Sequence, residues 1–271
     1  MTQRLAPSEL SALLKLATRL ASEAGAYLLD GVHRPRTSVE TKSTASDMVS
    51  EMDRGAERMI VDGILRERPD DGLLGEEGAE RAGTSGLRWV IDPLDGTTNY
   101  LYGNPMWSVS IAVEREGVGI VGVVEAPTLR ETFAAATGAG ATRNGTPIRV
   151  TDCDSLDAAL VATGFSYDPD ARRLQGLVAA RLLPIVRDLR RAGSAALDLC
   201  AVASGRVDAY YERGCKAWDL AAGAVILREA GGIATDLENE PPSTSMCVAA
   251  NPRLHALLQS ELRAGSSHHA G

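Results

Sequence analysis

Trp89-Val90-Ile91-Asp92-Pro93-Leu94-Asp95-Gly96-Thr97-Thr98-Asn99-Tyr100 is the stretch in which apolar and acidic residues meet most sharply in this chain. Trp89, Val90 and Ile91 read as the end of a buried strand, and the polarity changes abruptly at Asp92. Gly96-Thr97-Thr98-Asn99 then has the composition of a helix start. Asp92 and Asp95 offer hard anionic oxygens of the kind a small divalent cation prefers, and the amides from Gly96 onward can face a second anion. Carboxylates repel phosphate unless cations lie between them, so the stretch predicts a metal-bridged phosphate site. The competing reading is an ordinary Asp95-Gly96 hairpin turn between two strands.

Outward from that string, 271 residues allow one large domain or two joined lobes, with a core that needs no staples. Hydrophobic residues at 44% and charged residues at 24% are those of a soluble folded protein. The net charge of -8 leaves no basic excess to track a nucleic-acid backbone or a membrane surface, so neither is expected as a partner. An acidic protein that handles phosphate esters needs cations, in keeping with the central string. No run approaches the roughly 18 apolar residues of a membrane-crossing helix, and the N-terminus lacks the order of a signal peptide; the cytoplasm is the expected compartment. Cys153, Cys200, Cys215 and Cys247 are scattered without metal-binding spacing and read as reduced, mostly buried thiols. His33 and His255 lie in unrelated contexts, and the other two histidines are in the tail, so no zinc centre is expected.

Leucines at 10, 13, 14 and 20 predict a helix from Ser8 to a stop at Asp30-Gly31. A polar segment with Lys42 leads through Asp47, read as an N-cap, into a second helix that Pro69 ends. Asp53 falls inside that helix, where aspartate is a poor former, which suggests a task elsewhere. Leu73-Leu74-Gly75-Glu76-Glu77-Gly78 reads as a short strand and then adjacent carboxylates, for which a solvated turn is the simpler alternative. Residues 108–114, 119–125 and 131–136 read as an antiparallel meander continued by an Asn144-Gly145 turn and a strand at 148–150. From about Asp152 strands alternate with helices: strands near 159–163, 187–190 and 207–212, helices at 171–183, 194–204 and from Trp218 to a Gly231-Gly232 stop. The lobe boundary falls between Gly145 and Asp152, giving an N-terminal α+β lobe of 1–147, a C-terminal α/β lobe of 148–264 and a disordered tail of 265–271.

Two motif matches fail on context. Cys200-x5-Arg206 fits a cysteine-phosphatase loop in letters, but it continues an apolar helix from Ala195 instead of wrapping a phosphate. Gly117-Val-Gly-Ile-Val-Gly122 matches a dinucleotide-binding string but is followed by Val123-Val124-Glu125 and not by a helix.

Asp219, after Trp218 at a helix start, reads by itself as an N-cap. Taken together, Gly-Glu-Glu-Gly, the Trp89–Asn99 string and Trp218-Asp-Leu-Ala-Ala-Gly, in this order, resemble the inositol monophosphatase family. Lys42, residues 47–53, Arg191-Ala-Gly-Ser-Ala-Ala-Leu197 and Ala209-Tyr-Tyr-Glu212 extend the resemblance over nearly the whole chain, and residues 187–232 resemble the bacterial SuhB-like branch. It implies a layered αβαβα sandwich of the inositol monophosphatase/fructose-1,6-bisphosphatase type, a homodimer, and lithium competing at a metal position.

The same resemblance implies a site. Glu76, Asp92 and the Leu94 carbonyl would hold one Mg2+, and Asp92, Asp95 and Asp219 a second. Glu76 shares a third through water, and Mn2+ can substitute. Glu76 and Thr97 would orient the attacking water, with Asp53 hydrogen-bonded to Thr97. Gly96 and Thr97 amides would meet the phosphate; Asp95, Asp219, Gly193, Ser194, Ala195 and Glu212 would line the alcohol side. Lys42, Glu77 and Lys216 are further candidates. Implied substrates are small phosphate esters: inositol 1-phosphate first, histidinol phosphate second, fructose 1,6-bisphosphate third. A non-catalytic dimeric regulatory module is the alternative of another class.

Overall fold

A computed structural model describes residues 5–31, 39–41 and 48–266, so Lys42, Asp47, His33 and the last five residues lie outside the described residues. In chain order the elements are α1 (Pro7–Gly31), β1 (Val39–Thr41), β2 (Met48–Ser50), α2 (Glu51–Glu67), β3 (Gly72–Gly75), β4 (Glu80–Arg81), β5 (Leu87–Asp95), α3 (Thr97–Tyr102), β6 (Ser108–Arg115), β7 (Val118–Ala126), β8 (Glu131–Ala136), β9 (Gly140–Arg143) and β10 (Thr146–Pro147). Then follow β11 (Leu160–Thr163), α4 (Pro169–Leu182), β12 (Asp188–Arg190), α5 (Ala195–Ala203), β13 (Ala209–Glu212), α6 (Ala217–Glu229), β14 (Ile233–Thr235), β15 (Cys247–Ala250) and α7 (Pro252–Ser266).

Two sheets carry the architecture. An eight-stranded sheet runs β10-β9-β8-β7-β6-β5-β3-β4, antiparallel except for the parallel β3–β5 pair. A five-stranded sheet runs β12-β11-β13-β15-β14, with β11 parallel to both β12 and β13. Side chains alternate across each strand, and the core divides accordingly. Trp89 and Ile91 of β5 pack with α1 and α2 residues such as Leu20, Leu28 and Ile60, while Val90 between them packs with Leu199, Val225 and Ile226 of α5 and α6. In the smaller sheet Tyr210 faces the α5/α6 layer, whereas Ala209 and Tyr211 face Leu182 of α4 and Leu254, Leu258 and Leu262 of α7. The order of layers is therefore α1/α2, large sheet, α5/α6, small sheet, α4/α7. Both faces of β5 are covered, which is why its run is continuously apolar instead of alternating with polar residues.

Several local expectations change. Residues 48–50 pair with 39–41 as a small antiparallel ribbon, and α2 starts only at Glu51, so Asp53 falls in its first turn. Residues 148–150 form no strand: the Val150 amide donates to the Ala230 carbonyl as the chain crosses toward the second sheet. The helix α7 extends to Ser266, two residues into the stretch read as tail. The chain between Asp95 and Ser108 contains α3, so Asp95-Gly96 opens a helix and is not a two-residue hairpin. Among the described residues no helix is long and apolar enough to cross a membrane.

Candidate active site

Pro93 has no N–H to offer a ladder, and the β5–β6 register shifts between Asp92 and Asp95. The break ends the apolar run and brings Asp92, Leu94, Asp95, Gly96 and Thr97 to the wall of a cavity of about 550 Å3. Gly96 has φ 93°, a left-handed conformation that costs glycine little, and α3 begins directly after it. Glu76 reaches the same cavity from the end of β3, the parallel neighbour of β5, whose line continues where the Glu76 amide donates to the Ile91 carbonyl at 3.1 Å. Asp219 and Lys216 arrive from the start of α6, and Gly193, Ala195, Arg191 and Glu212 from the small-sheet side.

Of the residues singled out from the sequence, Glu76, Asp92, Leu94, Asp95, Gly96, Thr97, Gly193, Ala195, Glu212, Lys216 and Asp219 share this one cavity. Asp53, Ser194 and Glu77 do not line it. Asp53 is fully buried, and its Oδ2 lies 3.5 Å from Thr97 Oγ1, which is also 3.1 Å from the Leu94 carbonyl. One hydroxyl proton serves only one of these acceptors at a time. Ser194 caps α5 and donates to Asp95 Oδ2 at 2.5 Å. The Glu77 amide is held by Glu57.

Three aspartates each tie one carboxylate oxygen to a backbone amide. Asp92 Oδ1 accepts from Leu94 N at 3.0 Å, Asp95 Oδ2 from Ala196 N at 2.8 Å, and Asp219 Oδ2 from Lys216 N at 2.6 Å. Asp219 is thus the third residue of α6 reaching back to its start, and Lys216, not Asp219, occupies the N-cap position. The Asp95 contact joins the end of β5 to the start of α5, in the helix layer between the two sheets.

Electrostatics make this an unhappy place for bare carboxylates. Burial raises the Asp92 pKa well above the ordinary value, and the neighbouring charges that add to it, Glu76, Asp95, Asp219 and Asp53, are all acids. Burial pushes Asp95 up to about 6 against the opposing bonds from Ser194 and Ala196, and burial followed by the Asp95 charge raises Asp219. Like charges in a low-dielectric cleft repel strongly, and a cation between them removes that cost. The donor chemistry fits magnesium: carboxylate oxygens and one carbonyl, with room for water. Among the described residues, however, no three His, Cys, Asp or Glu side chains are drawn together into a close metal-ligand cluster; the acids are spread over the cavity wall.

The opposite wall has its own brace. Tyr210, fully buried, donates from its hydroxyl to Glu212 Oε2 at 2.8 Å, and a β-carbon on Gly164 would overlap the Glu212 carboxyl. Burial raises the Glu212 pKa to about 7, opposed by the Tyr210 bond. Asn99 Nδ2 donates to the Ala192 carbonyl at 2.9 Å, and Thr98 Oγ1 lies 3.0 Å from Tyr167 Oη, so α3 is tied to the second wall at two points. Sequence reading assigned no role to Glu57, Asn99, Gly164, Tyr167 or Tyr210. Asn99 and Tyr210 lie inside strings already quoted, but nothing local distinguishes a tie or brace from a core residue. Cys200 is fully buried on α5, away from any phosphate loop.

Comparison with known proteins places this geometry among relatives. The family model described as "Inositol monophosphatase family" matches residues 9–267. Inositol-1-monophosphatase SuhB of Mycobacterium tuberculosis is 41% identical over 242 residues, 83% of each chain. The Nus factor SuhB of Pasteurella multocida is 41% identical over 246 residues, 89% of this chain and 92% of that protein. The crystal structure of extragenic suppressor protein suhB from Bartonella henselae superposes with a TM-score of 0.88 at 36% identity, covering 93% of this chain and 98% of that one.

Proposed function

The chain belongs to the inositol monophosphatase family, and from that premise we propose that it is a Mg2+-dependent phosphomonoesterase acting on a small polyol monophosphate, inositol 1-phosphate first. The observation that carries the proposal is the meeting of Glu76 beyond β3, Asp92 and Asp95 at the end of β5, and Asp219 at the start of α6 around one cavity whose far wall presents Glu212. Glu76, Asp92, Asp95, Asp219 and the Leu94 carbonyl would hold two or three Mg2+ ions, for which Mn2+ can substitute. When bound, such ions lower the pKa of a water and offset charge on phosphoryl oxygens.

The chain's own residues do the rest. Glu76 and the Thr97 hydroxyl orient the attacking water, and Asp53 holds that hydroxyl when it turns from the Leu94 carbonyl. Amides of Gly96 and Thr97 face phosphate oxygens at the start of α3, where backbone N–H groups have no partner within the helix. Glu212 accepts hydrogen bonds from polyol hydroxyls, and the Gly193-Ser194-Ala195 turn borders the alcohol. We assign the protein to the cytoplasm, as a homodimer.

A second reading has its own support: Arg191, Arg213 and Lys216 line the same cavity, a set suited to a second anionic group and therefore to fructose 1,6-bisphosphate. Histidinol phosphate, with an ammonium for Glu212, is third. A purely regulatory module is disfavoured because every proposed ligand position carries a competent donor. The test is release of inorganic phosphate from the three esters with Mg2+ and with EDTA. Release from inositol 1-phosphate should be fastest, vanish on chelation and return with Mg2+; release undiminished by EDTA would refute the metal mechanism.

A further inference from the structure

The loop that delivers Glu76 is clamped from outside. Glu57, buried on α2, accepts the Glu77 amide with Oε2 at 2.8 Å and the Ala79 amide with Oε1 at 3.0 Å. The turn is also closed from within, since the Gly75 amide donates to the Ala79 carbonyl at 2.6 Å. A side chain on Gly75 would overlap the Glu57 carboxylate, so glycine there is what lets the clamp approach. A carboxylate that accepts two backbone N–H groups makes charge-assisted bonds, stronger than neutral ones.

Glu57 does not act alone on its helix. Asp53 is four residues earlier, which on an α-helix puts both acids on one face about one turn apart. From that face Asp53 reaches the Thr97 hydroxyl beyond the end of β5, while Glu57 reaches the turn beyond the end of β3. The two strands are parallel neighbours, so α2 spans their ends like a bracket. We infer that Glu57 is a positioning residue: by clamping the 75–79 turn to the helix that also places Asp53 beside Thr97, it fixes Glu76 against the rest of the acid wall and so sets the affinity of the cavity for its divalent cation.

The inference rests on the metal-dependent reading, and its test separates the two. The full chain, stripped with EDTA, is titrated with Mg2+ by calorimetry as wild type, Glu57→Gln and Glu57→Ala, with the melting temperature of each apo protein measured alongside. Wild type binds Mg2+; Glu57→Ala weakens binding about tenfold, the size of effect expected when a ligand loses its outer support, and Glu57→Gln, which keeps one acceptor oxygen, falls between. At saturating Mg2+ the KM for inositol 1-phosphate stays within about twofold of wild type, because the alcohol wall is untouched. Mg2+ affinity unchanged in both variants, with only the melting temperature lowered, would reduce Glu57 to a structural clamp and overturn the inference while leaving the metal reading intact. A wild type that binds no Mg2+ would overturn both.

Discussion

The two walls of the cavity are built in opposite ways. On the acid wall Asp92, Leu94, Asp95, Gly96 and Thr97 come from six consecutive residues, displayed by one strand end and one register break. On the facing wall Gly164, Arg191, Glu212 and Thr244 come from segments far apart in the chain, brought side by side by the small sheet and its flanking turns. The acid wall concentrates charge that either bound protons or a counter-ion must relieve. On the facing wall Glu212 has Tyr210 as its donor and Gly164 beneath it, and Asp168 is the other carboxylate there. Chemistry and selectivity can therefore be damaged separately.

The largest effect tests the acid wall. Asp92→Asn keeps the side-chain shape but removes a charge that would serve both ions, and turnover of inositol 1-phosphate should fall on the order of a thousandfold while the circular dichroism spectrum is kept. Near wild-type turnover at saturating Mg2+ would remove Asp92 from the metal assignment.

An intermediate effect tests the facing wall. Glu212→Gln should raise the KM for inositol 1-phosphate about tenfold, the worth of a hydrogen bond to a charged group, and leave kcat for p-nitrophenyl phosphate within about twofold. An equal loss on both substrates would contradict the division of labour. The same variant has a pH signature in the metal-free protein. Glu212 titrates near 7 in the fold against an ordinary 4.5, so the native state holds the extra proton between those values. Its contribution to stability is complete at low pH and is lost as pH rises through about 7, by up to about 3 kcal/mol as an order of magnitude. In EDTA, wild type should thus lose more melting temperature between about pH 5 and pH 8 than Glu212→Gln does.

The smallest effect is expected away from both walls. Cys200 is buried within α5, and Cys200→Ser should leave turnover within about twofold, at a modest cost in melting temperature for a buried hydroxyl. A loss of more than a hundredfold would revive the cysteine-nucleophile reading that its helical context excludes.

Individual strands and helices were legible because they announce themselves locally: the leucine spacing of α1, the glycine-punctuated meander from β6 to β8, and Gly231 after α6. Their stacking into layers followed from the family resemblance. The ribbon at 39–41 and 48–50 was not legible, since three-residue strands carry no period to read. Nor did the sequence reading assign elements after Gly232, where β14, β15 and α7 complete the small sheet and cover it. Asp219 illustrates the limit within the site. Its letter and position near a helix start suit an N-cap, yet the helix begins earlier and the carboxylate reaches back from the third position.

What the sequence by itself determined is the acidic string at 92–97 and the succession of strands and helices, because charge, proline and hydrophobic period act between residues that are neighbours in the chain; the stacking of layers and the places of Glu76 and Asp219 in the site came with the family resemblance. What only the tertiary structure decided is which residues hold those acids in place: Glu57 on the Glu76 turn, Ser194 on Asp95, Gly164 against Glu212, and Asn99 across the walls. Each of those partnerships joins side chains or backbone groups set by the meeting of separate elements. A hydrogen bond needs its atoms within about 3 Å, and that closeness exists only once the sheets and helices have packed.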